Sequence, residues 1–548
     1  MQGANRPFDS GGVLGYTDFF PIETGVRQGC ILSPLLYSLF INDVAIRLKE
    51  ENNDCGVPVG PERRLVVLLY ADDIVLLSES ESGVASLMAA VHAYSVQWRF
   101  DVNHAKCGLM CFRWQGSRLP TSEIRLGERK VEWVSVYKYL GIELHCGIAF
   151  KQYRKRAILS AHRAGNAVSG MGMYSGKLGV LLGVQVYKAM VRPLIEYCAE
   201  VWSVAAWKEA DRLQSTMAKR ILGVSTRCSS TAVRGELGWI SMDARWQKAR
   251  LNFWGKIQFM SEDSPARLVY EASAVEFAKS EASDRLLHST PLVEPEEGFE
   301  VVYAAKRQGD SSLPWCAQIQ TDIAQLGQKL QEVWRKTELL AERGGITLEK
   351  WRQEVAKVVR TRDQHHWWRC VEERPTLSIY RRLKTNASGL VLEKYLSVPH
   401  GGWNDLGLIG RRALTRIRCG HHELRICTGA WEGLDVEDRW CPMCAEAVET
   451  EEHFLLDCAH WKDERAVLYH AIDAMVTTAR SEEGDRNAFL VAQLSRDEQW
   501  RLMTGGVVSK VGKEEIRGRV IAKILTSVAQ WSLDRKESLA SIERARRE

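Results

Sequence analysis

The sequence predicts an α+β fold at its start and a long, mainly helical remainder. Three observations carry this. Up to about residue 148, short apolar blocks bounded by turn residues alternate with helix-spaced segments. From Lys151 onward the apolar spacing becomes helical. At 548 residues the chain is also too long for one ordinary core, so several domains or subdomains are expected.

In the first segment, Ser33 suits a helix cap and Pro34 its first turn, with Leu36, Phe40, Val44 and Leu48 near helical spacing. The stretch "LVVLLYADDIVLLSES" then places two buried-type strands around Ala71, Asp72 and Asp73, a hairpin with a carboxylate pair where it turns. A second helix after Ser82 carries Val84, Leu87, Met88, Val91 and Trp98 on one face. "CGLMCFRW", "RKVEWVSV" and "YKYLGIEL" follow as short strands. The expected divisions are 1–148 (mixed), 149–260 (basic, helical), 261–398 (helical linker), 399–470 (cysteine and histidine module) and 471–548 (helical). Within the linker, a long helix is expected over Ala317 to Glu342. The aromatic and basic mixture from Trp351 to Lys384 reads first as an amphipathic helix with snorkelling cations, and second as a stacking surface for nucleic acid.

The net charge of +5 hides an asymmetry: Lys151 to Met260 holds 18 Lys and Arg against 6 Asp and Glu. That window is built to meet a polyanion. Most of the fourteen cysteines stand alone, which suits a reducing compartment, the nucleus or cytoplasm, rather than a disulfide framework. The start "MQGANRPFDSGG" has no secretory pattern, and runs such as "LVVLLYA" are too short to span a bilayer, so no membrane partner is expected.

Two motifs carry chemistry. Paired carboxylates on a rigid turn suit Mg²⁺ (or Mn²⁺), because hard cations take oxygen ligands. Near the C-terminus, Cys441, Cys444, His453 and Cys458 have the spacing C-x2-C-x8-H-x4-C, which suits a four-ligand structural Zn²⁺. The plain alternative is reduced cysteines packed as small hydrophobes. Cys419, His421 and His422 stand as alternative ligands, and Arg412, Arg416, Arg418 and Arg425 as cations available to nucleic acid.

The ordered series "GVRQGC…SPLLYSLFIND", "YADDIVLL", "VNHAKCGLMCF" and "YKYLGIEL" resembles the palm of a non-LTR (LINE-like) retrotransposon reverse transcriptase. "VYKAMVRPLIEYCAEVW" through "ELGWISMDARWQK" is similar to the thumb of the same proteins, and the zinc motif resembles their downstream cysteine and histidine module. The resemblance implies a partial right-hand polymerase palm and helical thumb, acting on an RNA template, a DNA primer or target and dNTPs. It makes Asp72 and Asp73 metal carboxylates, sets Tyr70 beside the primer terminus, and makes Gly25, Gln28 and Gly29 the floor under template and nucleotide. Asn103 and Lys106 match the next motif, the lysine facing the leaving pyrophosphate, and Tyr139, Leu140 and Gly141 match the primer grip. The family's earlier aspartate motif lies several dozen residues before "GVRQG". Asp9, separated from Gly25 by only fifteen residues, is expected to be a loop residue instead. The expectation is therefore an N-terminally truncated polymerase, weak or inactive alone, with a non-catalytic RNA- or DNA-binding remnant as the alternative.

Overall fold

The computed structural model describes residues 7–9, 14–16, 29–60, 63–112, 120, 122–173, 179–203, 207–278, 315–325, 347–384, 389–397, 406–482, 487–506 and 508–545. They fall into two compact units, Met1–Phe150 with Met260–Glu276, and Lys151–Phe259 with Phe277–Glu548.

The first unit mixes strands and helices. Strands β1 (Pro7–Asp9) and β2 (Leu14–Tyr16) pair antiparallel, so Asp9 ends a strand and is not the loop residue expected from the glycines after it. Helix α1 (Ser33–Glu51) has proline in its first positions, where a missing N–H costs nothing. Ser33 is its first helical residue, not its cap; Leu32 holds the cap position and no side chain caps there. Ile41, Val44 and Leu48 are buried, whereas Leu36 and Phe40, expected on the same face, are exposed.

After the short pair β3 (Val57–Pro58) and β4 (Arg64–Leu65) comes the hairpin β5 (Val67–Tyr70) and β6 (Asp73–Leu76). Helix α2 (Glu81–Trp98) is capped by Ser80, whose Oγ accepts the Gly83 N–H at 3.0 Å. Leu87, Met88 and Val91 are buried as the spacing requires, Tyr94 joins them, and Trp98 is exposed. The hairpin and both helices share one core of Ile41, Val44, Leu48, Val66, Val67, Leu87, Val91 and Tyr94. Each fully buried aliphatic side chain there contributes about 1.5–3 kcal/mol.

Two further hairpins follow, β7 (Ile124–Leu126) with β8 (Arg129–Val131), and β9 (Val136–Tyr139) with β10 (Ile142–His145). The strand expected at "CGLMCFRW" reduces to one parallel bridge, Leu109 with Trp133, and residues 113–119 lie outside the described residues.

The second unit is helical. It holds α3 (Lys151–Val168), α4 (Val180–Val186), α5 (Arg192–Glu196), α6 (Ala199–Trp202), α7 (Lys208–Leu222), α8 (Ser230–Glu236) and α9 (Met242–Gln258). Residues Met260–Glu276, including most of α10 (Pro265–Ala278), belong to the first unit instead, where Asp263 pairs with Arg63 at 2.6 Å. Of the long helix expected from Ala317, α11 (Trp315–Gln325) is described and the rest lies outside the described residues. Helix α12 (Leu348–Glu372) settles the aromatic and basic stretch. Trp351 and Trp367 are buried, and their indoles donate to the Leu251 and Thr231 carbonyls at 3.0 and 2.9 Å. Those tryptophans are therefore core anchors with a satisfied polar handle.

The chain continues through α13 (Ser378–Leu383), α14 (Leu406–Arg418), α15 (Arg425–Trp431), α16 (Lys462–Glu482), α17 (Arg496–Met503) and α18 (Glu514–Ala545). Val520, Ile524, Val528 and Trp531 of α18 share a core with Cys441, Phe454, Cys458 and Trp461. Apart from residues 149, 150 and 260, the segments delimited from sequence as 149–260, 399–470 and 471–548 thus lie within one compact unit.

Candidate active site and candidate zinc centre

The β5–β6 register pairs Val67 with Leu76, Leu68 with Val75, Leu69 with Ile74 and Tyr70 with Asp73. Side chains alternate along a strand, so Val67, Leu69, Ile74 and Leu76 share one face, and this face packs on the core. Tyr70 and Asp73 fall on the opposite face, and both are exposed, as is Asp72 in the turn. Ala71 adopts φ 50°, a left-handed conformation that a larger or branched residue there would strain further. The oily strands thus anchor the hairpin, and the two-residue turn holds the carboxylate pair out of the core.

The surroundings of the pair come from two other elements, α1 and β9. Tyr37 of α1 has its phenol raised above the usual value by burial and then by Asp72. Tyr139 is raised by burial and then by Asp73; Tyr137 is raised by burial, Cys107 and Asp73. Asp73 therefore lies within electrostatic reach of the β9 strand. The β9–β10 turn consists of Leu140 at φ 46° and Gly141 at φ 84°, both left-handed, as a tight two-residue hairpin with matching twist requires.

Asn103 and Lys106 are joined by one turn of 3₁₀ helix, His104–Lys106, with the Lys106 N–H donating to the Asn103 carbonyl at 3.0 Å. The Tyr137 hydroxyl donates to the Lys106 carbonyl at 2.6 Å and so ties that turn to β9. Sequence reasoning missed Tyr37 and Tyr137. The signal for Tyr137 was its place two residues before Tyr139, on the same strand face; nothing in the local pattern marks Tyr37. Gly29 has φ 80° with open space around a built Cβ, so backbone conformation rather than crowding calls for glycine. Gly25 and Gln28 lie outside the described residues.

The cysteine and histidine motif converges. The Cys441 and Cys458 sulfurs are 3.8 Å apart, Cys444 Sγ is 3.3 Å from His453 Nε2, and all four donor atoms lie within 4.8 Å of one another. A tetrahedral zinc with bonds of about 2.0–2.3 Å has donor separations of roughly 3.5–3.8 Å, so this donor set fits the ion. Burial and the neighbouring Cys441 push the Cys458 thiol up to about 12. A divalent cation reverses that balance, because a coordinating thiol is deprotonated outright.

The alternative ligands separate from this centre. Cys419 is buried with its thiol raised well above the ordinary range, and the His421 ring lies against Trp431 at 4.9 Å. His422 joins Cys427 and Glu451 in a separate cluster. Burial pulls its imidazole down, but hydrogen bonds to Cys427 and Glu451 together outweigh this and bring it to about 9. Arg418 corrects another expectation. It is 1% exposed, bound to Glu236 and Glu393, and so is not a surface cation.

Comparison with known proteins follows this geometry. Residues 13–144 match the family model described as reverse transcriptase (RNA-dependent DNA polymerase), the segment that holds the carboxylate hairpin and the β9–β10 turn. The chain is 27% identical over 212 residues to the RNA-directed DNA polymerase from mobile element jockey of Drosophila melanogaster, covering 37% of this chain and 22% of that protein. It is 26% identical over 213 residues to the probable RNA-directed DNA polymerase from transposon BS of the same organism (38% and 23% covered). A third relative is the retrovirus-related Pol polyprotein from type-1 retrotransposable element R2 of Popillia japonica, 28% identical over 127 residues, with 22% of this chain and 21% of that protein covered. The matched region spans about a fifth of these relatives. It resembles a reverse transcriptase, and the relatives that it matches are proteins of mobile elements of the non-LTR, LINE-like kind.

Proposed function

We propose that the chain belongs to an RNA-directed DNA polymerase of a non-LTR retrotransposon, weak or inactive alone, that extends a DNA primer or target on an RNA template with dNTPs. The observation that carries this is the carboxylate hairpin: Asp72 and Asp73 held exposed on a core-anchored turn, within a segment that matches the reverse transcriptase family. Asp72 and Asp73 would hold Mg²⁺ or Mn²⁺, which supplies charge neutralisation for in-line phosphoryl transfer. The chain's own groups do the positioning. Tyr70 lies on the exposed face beside Asp73, and the Tyr139–Gly141 turn holds the primer end. Lys106, fixed through Tyr137, stands ready for the leaving pyrophosphate. The basic helices from Lys151 to Gln258 act as the thumb, and Cys441, Cys444, His453 and Cys458 hold a structural zinc that organises the module behind it. The reducing nucleus or cytoplasm suits those thiols.

Primer extension on an RNA template with Mg²⁺ tests the reading. Extension by the wild-type chain that Asp72→Asn abolishes supports it. Primer-template binding that falls steeply with salt, ignores Asp72→Asn and Asp73→Asn, and yields no extension would favour a purely binding role for the basic helices.

A further inference from the structure

Outside the CCHC centre, a second group of donors converges in the same unit. His422 Nε2, Cys427 Sγ and a Glu451 carboxylate oxygen lie within 4.8 Å of one another. The ring nitrogen is 3.4 Å from the sulfur and 2.7 Å from Glu451 Oε1. The imidazole and carboxylate are buried, at 4% and 9% exposure, and the cysteine is half-buried. They arrive from three places in the chain: His422 follows α14, Cys427 lies in α15, and Glu451 comes from the segment leading into His453.

We propose that His422, Cys427 and Glu451 form a second Zn²⁺ site, with water in the fourth position. One sulfur, one imidazole nitrogen and one carboxylate oxygen are each zinc ligands, whereas a single carboxylate is too little for Mg²⁺ or Ca²⁺. The charges balance, since one thiolate and one carboxylate neutralise the ion in a site mostly removed from water. The sulfur to nitrogen separation already matches a tetrahedral edge of about 3.5 Å, and the nitrogen to oxygen separation must open from 2.7 to about 3.3 Å. A cavity of about 210 Å³, lined by Arg412, Arg416, Phe454 and Lys536, reaches His422.

The proton balance is explicit. Binding releases the Cys427 thiol proton to solvent, and a second proton if the imidazole starts charged. The ring proton then resides on Nδ1, so the long 3.4 Å hydrogen bond from the Leu424 N–H to that atom is lost. The second site stands independently of the polymerase reading, because its ligands share no residue with the carboxylate hairpin.

The test uses the full chain purified without chelator. Zinc is counted by inductively coupled plasma mass spectrometry, and cobalt replaces it for absorption spectroscopy. The expected wild-type result is two zinc ions per chain, with cobalt thiolate charge-transfer intensity corresponding to four sulfurs. Cys427→Ser and His422→Gln should each halve the zinc content and leave a three-sulfur signal. Glu451→Gln should weaken retention of the second ion in a chelator titration. One zinc with a three-sulfur signal in the wild type overturns the proposal, as does a second ion that survives both Cys427→Ser and His422→Gln. Because the sulfur count is read on the wild-type protein, a variant that fails to fold does not shield the proposal. One ion with a one-sulfur signal would support this site while removing the CCHC assignment.

Discussion

Replacing Arg418 with methionine removes the centre of a deeply buried charge network. The guanidinium is 1% exposed and grips the fully buried Glu236 through two hydrogen bonds of 3.0 Å. It also pairs with Glu393 at 2.8 Å, donates to the Thr504 carbonyl at 2.9 Å and lies 4.9 Å from the Tyr395 ring centre. Arg418→Met leaves Glu236 with the Tyr395 hydroxyl, 2.6 Å away, and without its cation. An uncompensated buried carboxylate costs about 3–5 kcal/mol. Adding Glu236→Leu removes the stranded charge, leaving mainly the unpaired Thr504 carbonyl at about 1–3 kcal/mol, since the Tyr395 hydroxyl keeps the Thr415 hydroxyl at 2.9 Å. The double variant should therefore be more stable than Arg418→Met alone, with a coupling of at least about 2 kcal/mol. Urea denaturation followed by tryptophan fluorescence measures this. Hydrogen exchange should show residues of both α8 and α14 losing protection together, because the pair joins the basic helices to the cysteine and histidine module. A cost below about 1 kcal/mol for Arg418→Met, or additive single and double variants, would refute the reasoning.

Asp211 supplies a pH test. Burial and then the like charge of Asp243 raise its carboxyl to about 6 from an ordinary 3.8. Its contribution to stability is therefore fully present below about pH 4 and lost as pH rises through 6. Asp211→Asn keeps an acceptor for the Met242 N–H and should stabilise the protein by about 1–2 kcal/mol at pH 8, with the gain vanishing near pH 4; equal melting shifts at both pH values would contradict the cause. Tyr137→Phe removes the 2.6 Å hydrogen bond to the Lys106 carbonyl, costing about 1 kcal/mol. In primer extension it should raise the KM for dNTP more than it lowers kcat, whereas unchanged kinetics would leave Tyr137 a purely structural residue. Ser80→Ala deletes the α2 cap and should destabilise the first unit by about 1 kcal/mol in thermal melts, with Ser80→Asp largely retaining stability.

Much of the candidate site is local and therefore legible in the chain. The carboxylate hairpin follows from two apolar strands whose period of two sends Val67, Leu69, Ile74 and Leu76 inward and leaves Tyr70 and Asp73 outside. The CCHC ligands follow from spacing, because a C-x2-C turn and a His-x4-Cys return bring donors within reach of one ion over 18 residues. Helix α2 follows from its apolar stripe, although it starts at Glu81 behind a Ser80 cap rather than after Ser82. Local pattern misled where a neighbour was needed to decide: Leu36 carries helical spacing but is exposed, and Ser33 sits inside the helix it was expected to cap.

What only the tertiary structure decided are the partnerships across long sequence separation. Arg418 looks like one more surface arginine until Glu236, 182 residues earlier, is found against it. Trp351 and Trp367 read first as part of an amphipathic helix and second as stacking residues, and the Leu251 and Thr231 carbonyls that accept from their indoles place them in the core. Tyr137 meets Lys106 across 31 residues, and His422 meets Glu451 across 29. Residue type and period report which side of its own helix or strand a side chain takes, because those are properties of the local backbone. Whether a charge, thiol or indole there meets water, an ion pair or a metal depends on elements brought together by folding, and no local pattern encodes them.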